Sequence, residues 1–176
     1  MKKFIAISGS LRTGSFNTGL LHAAQKLAPV GVEIEIADIS ALPLYNSDLE
    51  TQFPEVAQEL KNRIESADGI IFATPEYNRS VPGVLKNAID WASRPWGKNS
   101  FAGKPVLILG ASVGAIGTAV AQSHLKQIMV YLDGHVIGQP ELYIGTVTDK
   151  FDKEGNLIDE ATQEHLKKAL EVLMNF

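Results

Sequence analysis

Three short runs in this chain, Phe4–Ser8, Gly69–Thr74 and Pro105–Ala111, are largely apolar and carry no charge. A strand without charge has no face that must turn to water, so each run reads as a strand buried on both sides. Amphipathic segments separate them. Asn17–Leu27 places Leu20, Leu21, Ala24 and Leu27 at helical spacing before Pro29 and Gly31 stop it. Pro54–Ala67 places Val56, Leu60 and Ile64 four apart. Val84–Ala92 reads as a helix with Pro82 suited to its first turn, and Gly117–Leu132 as a helix ending at Asp133-Gly134. Val32–Asp38 alternates Val32, Ile34 and Ile36 with Glu33 and Glu35, the pattern of a strand with one wetter face. His135–Ile144 is the expected last strand, broken or bent around Gly138 and Pro140. Asp159–Met174 closes the chain as an amphipathic helix, with Asp159 and Glu160 at its positive end.

Strands alternating with helices predict a parallel sheet covered on both faces. The 176 residues fit one such α/β domain, spanning 1–176, with no linker or internal repeat. Two five-strand orders satisfy the alternation, a nucleotide-binding half-Rossmann and the doubly wound order 2-1-3-4-5. Periodicity does not choose between them. In either, ligands bind beyond the carboxyl ends of the strands, where the order reverses, so the loops there carry the functional information.

The first loop, Gly9 to Asn17, leaves the first strand and enters the first helix. Backbone N–H groups at a helix N-terminus suit a phosphate dianion, and glycines permit its close approach. Ser10, Thr13, Ser15 and Asn17 add neutral donors, and Arg12 a charged one, more than a capped turn needs. Gly9 and Gly14 have the spacing of a nucleoside-triphosphate loop, but Ser15 and Phe16 stand where that motif requires Lys and Ser/Thr. The dinucleotide fingerprint fails as well, because Leu11 replaces its second glycine. What remains is a cradle for a monophosphate.

The second loop, Pro75-Glu76-Tyr77-Asn78-Arg79-Ser80-Val81-Pro82-Gly83, is stiffened by two prolines. Tyr77 can flank a planar ring, and the peptide groups around Asn78 can bond its edge. Alone it would be an ordinary turn with a packed aromatic. The third loop, Gly110 to Gly117, contains Ser112 and Gly114 among small residues that let something flat lie against the backbone. Tight strand–helix packing is its simpler explanation. In the order 2-1-3-4-5 the loops after strands 1, 3 and 4 converge on one crevice, which argues for a flat, phosphorylated ligand.

Composition narrows the partners. Sixteen basic residues against 20 acidic ones, a net charge of −4, give no sign of a nucleic-acid surface. The absence of cysteine removes disulfides, thiolate zinc sites and cysteine nucleophiles. The apolar run after Lys2-Lys3 is too short for a signal peptide or a membrane span, so a cytoplasmic protein is expected and the sequon at Asn78 idle. His22, His124, His135 and His165 are scattered without metal-ligand spacing, so no metal is expected. Ser15 lacks the surroundings of a nucleophile elbow, which disfavours hydrolysis.

The motifs together resemble a known family. Gly9-Ser10-Leu11-Arg12 with Gly14-Ser15-Phe16-Asn17, Pro75-Glu76-Tyr77-Asn78 with Ser80-Val81-Pro82-Gly83, and Leu85 to Trp91 are similar to the NADPH-dependent FMN reductases, which are flavodoxin-like and include quinone, chromate and azo-dye reductases. The resemblance runs from Ile5 to about Gly145 and looks closest to the bacterial chromate and quinone reductases. It implies the order 2-1-3-4-5, bound FMN, and NADPH or NADH as co-substrate. It implies that Ser10, Arg12, Ser15, Phe16 and Asn17 hold the phosphate. It also implies that Pro75, Glu76, Tyr77, Asn78 and Arg79 meet the isoalloxazine, with Ser112 and Gly114 as the third contact. No side chain is named as a catalytic acid or base, because the flavin carries the chemistry.

The resemblance further implies a homodimer or homotetramer, with the helices after strands 3 and 4 in the contact. Helix Val84–Ala92 is apolar on more than one side, so Trp91 or its neighbours are expected to need other cover, most simply from a symmetric partner helix. The alternative of a different class is a flavodoxin-type electron carrier. Flavodoxins use a Ser/Thr-rich loop without arginine and are usually far more acidic, so Arg12 and a charge of −4 favour the reductase. A flavin-free binding module would make all three loops coincidental.

Overall fold

The uncharged runs lie at the centre of a parallel sheet, in a computed structural model that describes residues 1–176. In chain order the elements are β1 (Lys2–Ser8), α1 (Phe16–Leu27), β2 (Val32–Ala37), α2 (Glu55–Ser66), β3 (Gly69–Ala73), α3 (Gly83–Ala92), β4 (Pro105–Ala111), α4 (Ala119–Tyr131), β5 (His135–Val136), β6 (Leu142–Ile144) and α5 (Glu160–Asn175). The sheet order is β2-β1-β3-β4-β5, with β6 also paired to β4, so the doubly wound order holds. All pairings are parallel: Ile5 lies opposite Glu35 on one side and Ile70 on the other, and Ile71 lies opposite Leu107. The fold is flavodoxin-like.

Two layers of core follow from the pleat, because successive side chains point to opposite faces. Phe4, Ala6, Ile71, Leu107 and Leu109 face α1 and α5, packing on Leu20, Leu21, Ala24, Leu166 and Leu170. Ile5, Ile7, Ile70, Phe72 and Ile108 face α2, α3 and α4, packing on Leu60, Ile64, Leu85, Ile89 and Leu125. Burying each large aliphatic chain is worth about 1.5–3 kcal/mol. A charge on β3 or β4 would therefore have no tolerated orientation.

The last strand divides in two. His135 and Val136 pair with Pro105 and Val106, while Leu142–Ile144 pairs with Leu109–Ala111. Six positions separate Val136 from Leu142, but only three separate their partners Val106 and Leu109, so the intervening segment with Gly138 and Pro140 loops out. Helix boundaries shift by a residue or two, and both Pro54 and Pro82 serve as N-caps with extended ψ rather than as helical residues. A 3-10 helix at Ser47–Gln52 and a hairpin closed by the Phe151–Leu157 bridge had no periodic signal.

Trp91 departs from expectation. It is fully buried within its own chain: its indole N–H donates to Pro43 O at 2.7 Å, and Tyr45 and Phe53 pack edge-on at 5.1 Å. The long segment between β2 and α2 supplies the cover, so Trp91 gives no reason for a partner.

Candidate functional site

Three loops at the carboxyl ends of β1, β3 and β4 are tied together by backbone bonds. Gly9 N–H donates to Ala73 O at 2.8 Å and Thr74 N–H to Leu109 O at 2.9 Å, continuing the ladder past the strand ends. A Cβ on Gly9 would lie 3.1 Å from both Pro75 Cδ and Leu85 Cδ2, so glycine there lets the first loop lie against the second. Asn17 joins the first loop to the third. Its Nδ2 donates to Ala111 O at 3.0 Å while Ala111 N–H donates to Asn17 Oδ1 at 2.9 Å, a peptide-like pair buried at the end of β4.

The first loop has donors to spare. Ser10 N–H reaches Ser8 Oγ and Arg12 N–H reaches Ser10 Oγ, both at 3.3 Å. The N–H groups of Leu11, Thr13, Gly14, Ser15, Phe16 and Asn17 find no acceptor in the chain. Ser15 is the N-cap of α1, yet its hydroxyl reaches Thr18 N only at 3.5 Å. Gly14 sits at φ +68, where a side chain would be strained. Arg12 is exposed; its guanidinium donates to Thr13 O at 3.3 Å and lies 5.6 Å from the centre of the Phe16 ring. Orphan N–H groups at a helix N-terminus with an unpaired guanidinium beside them fit a phosphate group.

The second loop is a two-residue hairpin. Tyr77 and Ser80 exchange N–H···O bonds of 3.1 and 3.0 Å, and both tip residues, Asn78 and Arg79, have positive φ (51 and 60). Such a turn suits Asn but is uncommon for Arg. Glu76 holds the hairpin in place. Its Oε2 accepts from Val120 and Ala121 N–H at 3.0 and 3.1 Å, capping α4, while Oε1 accepts from Arg79 at 3.1 Å. The Glu76 side chain is only 9% exposed, so its carboxylate braces the loop. Tyr77, by contrast, is half exposed and free to flank a ring.

The third loop is backed by residues 144–147. Ser112 N–H donates to Ile144 O, and Thr146 and Val147 N–H return to Gly114 and Ser112 O. Ser112 Oγ bonds Gly114 O at 3.1 Å, leaving Val113, Gly114, Ala115 and Ile116 exposed along the crevice. Close by, the Glu141 carboxylate is held below the usual range by hydrogen bonds from Lys126 and then Tyr143. Ten of the twelve expected site residues thus fall on these three loops, and the other two, Phe16 and Asn17, open α1 directly behind the first. Sequence reasoning missed the bracing partners: the α4 N-terminus for Glu76, and Ala111 for Asn17. Each lies tens of residues away from the side chain it meets, and no local motif marks it.

A separate concavity lies away from the first loop. A groove of about 860 Å³ runs between α3 and α4, lined by Ile89, Arg94, Trp96, His124, Ile128 and Tyr131 among others. It adjoins the second loop through Ser80, whose hydroxyl lies 3.1 Å from His124 Nδ1. The phosphate loop takes no part in it.

Comparison with known proteins agrees with the geometry. Residues 2–149 match the family described as NADPH-dependent FMN reductase. A 2-hydroxy-1,4-benzoquinone reductase of a Burkholderia species is 52% identical over 165 residues, 94% of this chain and 90% of that protein. An NAD(P)H-dependent FMN reductase of Pseudomonas aeruginosa is 49% identical over 97% of this chain and 92% of its own length. Among solved structures, the flavoenzyme NAD(P)H:(acceptor) oxidoreductase FerB from Paracoccus denitrificans superposes with a TM-score of 0.92 at 40% identity, covering 99% of this chain and 96% of that one. A free helix N-terminus, a guanidinium beside it and a match across most of the chain have one reading: the chain belongs to the NADPH-dependent FMN reductase family and is an FMN-dependent NAD(P)H oxidoreductase.

Proposed function

We propose that the chain reduces small quinones, with the nicotinamide and the acceptor taking turns in one slot between the second and third loops. The open N-terminus of α1 carries the reading, since it accounts for a phosphate anchor at one end of a flat ligand. FMN, when bound, supplies the hydride relay between the two substrates. Arg12 and the free N–H groups of the first loop hold the phosphate. The Tyr77–Ser80 hairpin, fixed by Glu76, walls one side of the ring, and the small residues from Ser112 to Gly117 wall the other without filling the slot. The quinone class rests on the 52% identical relative. A cytoplasmic location, where reduced nicotinamides are abundant, completes it.

Alternating occupancy predicts ping-pong kinetics, with parallel double-reciprocal lines when NAD(P)H is varied against a quinone. Under argon, NADPH or NADH bleaches the bound flavin within seconds without a partner protein. Flavin that stays oxidised for many minutes with both would instead favour an electron carrier.

We further propose a homo-oligomer built on the α3–α4 groove. Trp96, Tyr131 and Val130 are 77, 74 and 67% exposed beside it, a cluster of large apolar side chains that a second copy would cover. Light scattering at micromolar concentration should give at least twice the 19.1 kDa chain mass. A single-chain mass would overturn this contact.

A further inference from the structure

Arg12 has no acid to hold it. The only hydrogen bond of its guanidinium is the 3.3 Å contact to the neighbouring Thr13 carbonyl, so what fixes this exposed side chain is the Phe16 ring beneath it. Phe16 is in turn seated on Phe151, ring centres 5.2 Å apart and planes tilted by 50°. Phe151 belongs to a different part of the chain, the hairpin closed by the Phe151–Leu157 bridge, and is buried at 6% exposure.

The hairpin is itself clamped onto α1. Lys26 Nζ of α1 donates to Asn156 Oδ1 at 2.8 Å, and from the other side Gln163 Nε2 of α5 donates to Leu157 O at 2.8 Å. Gly19, on the first turns of α1, allows the contact: a Cβ there would stand 2.7 Å from Gly155 O and 3.0 Å from Phe151 Cε1. Glycine inside a helix lowers its stability, so its presence here marks a close approach that α1 and the hairpin require.

We propose that Phe151 is a positioning residue for the phosphate-binding guanidinium, acting through Phe16 to hold Arg12 over the mouth of the first loop. A cation over an aromatic face is directional, so a shift of the Phe16 ring moves the preferred place of the guanidinium with it. The hairpin therefore tunes selectivity for the phosphorylated flavin without touching it. This rests on the assignment of Arg12 to the phosphate.

Equilibrium dialysis of the holoprotein against FMN and against riboflavin tests the proposal, read as the dissociation constant of riboflavin divided by that of FMN. Phe151→Leu keeps an apolar side chain in the core, and thermal melting verifies its fold. It should weaken FMN by about two- to five-fold, the range of an exposed cation–π contact, and leave riboflavin unchanged. Gly19→Ala, which pushes the hairpin away and favours the helix, should lower the same ratio. In an Arg12→Ala background, Phe151→Leu should lose its effect on the ratio, because the group it positions is gone. Equal weakening of both flavins, or an unchanged effect in the Arg12→Ala background, would show Phe151 to be structural only. An Arg12→Ala protein with an unaltered ratio would instead overturn the phosphate assignment, a separate outcome.

Discussion

Helices α1 and α4 both begin at the carboxyl edge of the sheet, and both point their positive ends toward the ligand crevice. They are finished in opposite ways. At α4 the N–H groups of Val120 and Ala121 are taken by the Glu76 carboxylate. At α1 the Ser15 hydroxyl makes one long bond and the remaining N–H groups stay open. A helix end that the chain satisfies with its own anion is closed to a second one, whereas an open end with a guanidinium beside it can accept a phosphate. The difference teaches which helix end has room for an anion and why Glu76, whose carboxylate already fills the other, acts as a brace.

The largest effect should be on the ligand that tests the open end. FMN should bind at least about a hundred-fold more tightly than riboflavin, the worth of two charge-assisted bonds. Equal affinities, by fluorescence titration, would erase the contrast between the helices. Arg12→Ala should follow, weakening FMN by about ten- to a hundred-fold while riboflavin is unaffected.

The capped end responds differently. Glu76→Ala should cost about 1–2 kcal/mol of stability in chemical denaturation, the scale of a lost N-cap with its charge. Inorganic phosphate should then raise its melting temperature more than it raises that of the unmodified protein, because a second helix end has been opened. A variant whose melting ignores phosphate would mean that α4 is not a latent anion site.

The smallest effect belongs to a third helix end. Asp159 caps α5, and hydrogen bonds from the Thr162 hydroxyl and N–H, then from Lys150, lower its carboxyl to about 2 from an ordinary 3.8. Between those values the unfolded chain binds the proton and the folded one does not, so this stabilisation is complete above about pH 4 and fades as pH falls toward 2. Asp159→Asn keeps a capping side chain but cannot titrate. Its stability relative to the unmodified protein should therefore improve between pH 5 and pH 3, and a constant gap would show that the cap's charge is unimportant.

What could be read from the sequence was whatever is written locally. The uncharged runs announced β1, β3 and β4, and Gly138 with Pro140 announced the break in the last strand. The three loops were legible because their polar and small residues are contiguous. Cover for Trp91 was not, because it comes from Pro43, Tyr45 and Phe53 in a segment without periodicity. Phe151 beneath Phe16, and Glu76 on α4, are pairings between distant positions, and neither partner carries a motif that calls for the other.

The divided fifth strand also bears on how copies of this chain can meet. An unbroken edge strand is a template on which another sheet can grow. Here that edge is cut into pieces of two and three residues by a loop containing Pro140, which has no N–H to offer. At the opposite edge β2 carries Glu33 and Glu35, with Glu35 paired to Lys3 and Arg63. Both margins therefore resist extension of the sheet into a neighbour. An aggregation route open to many parallel sheets is thereby hindered at both edges, by geometry at one and by charge at the other.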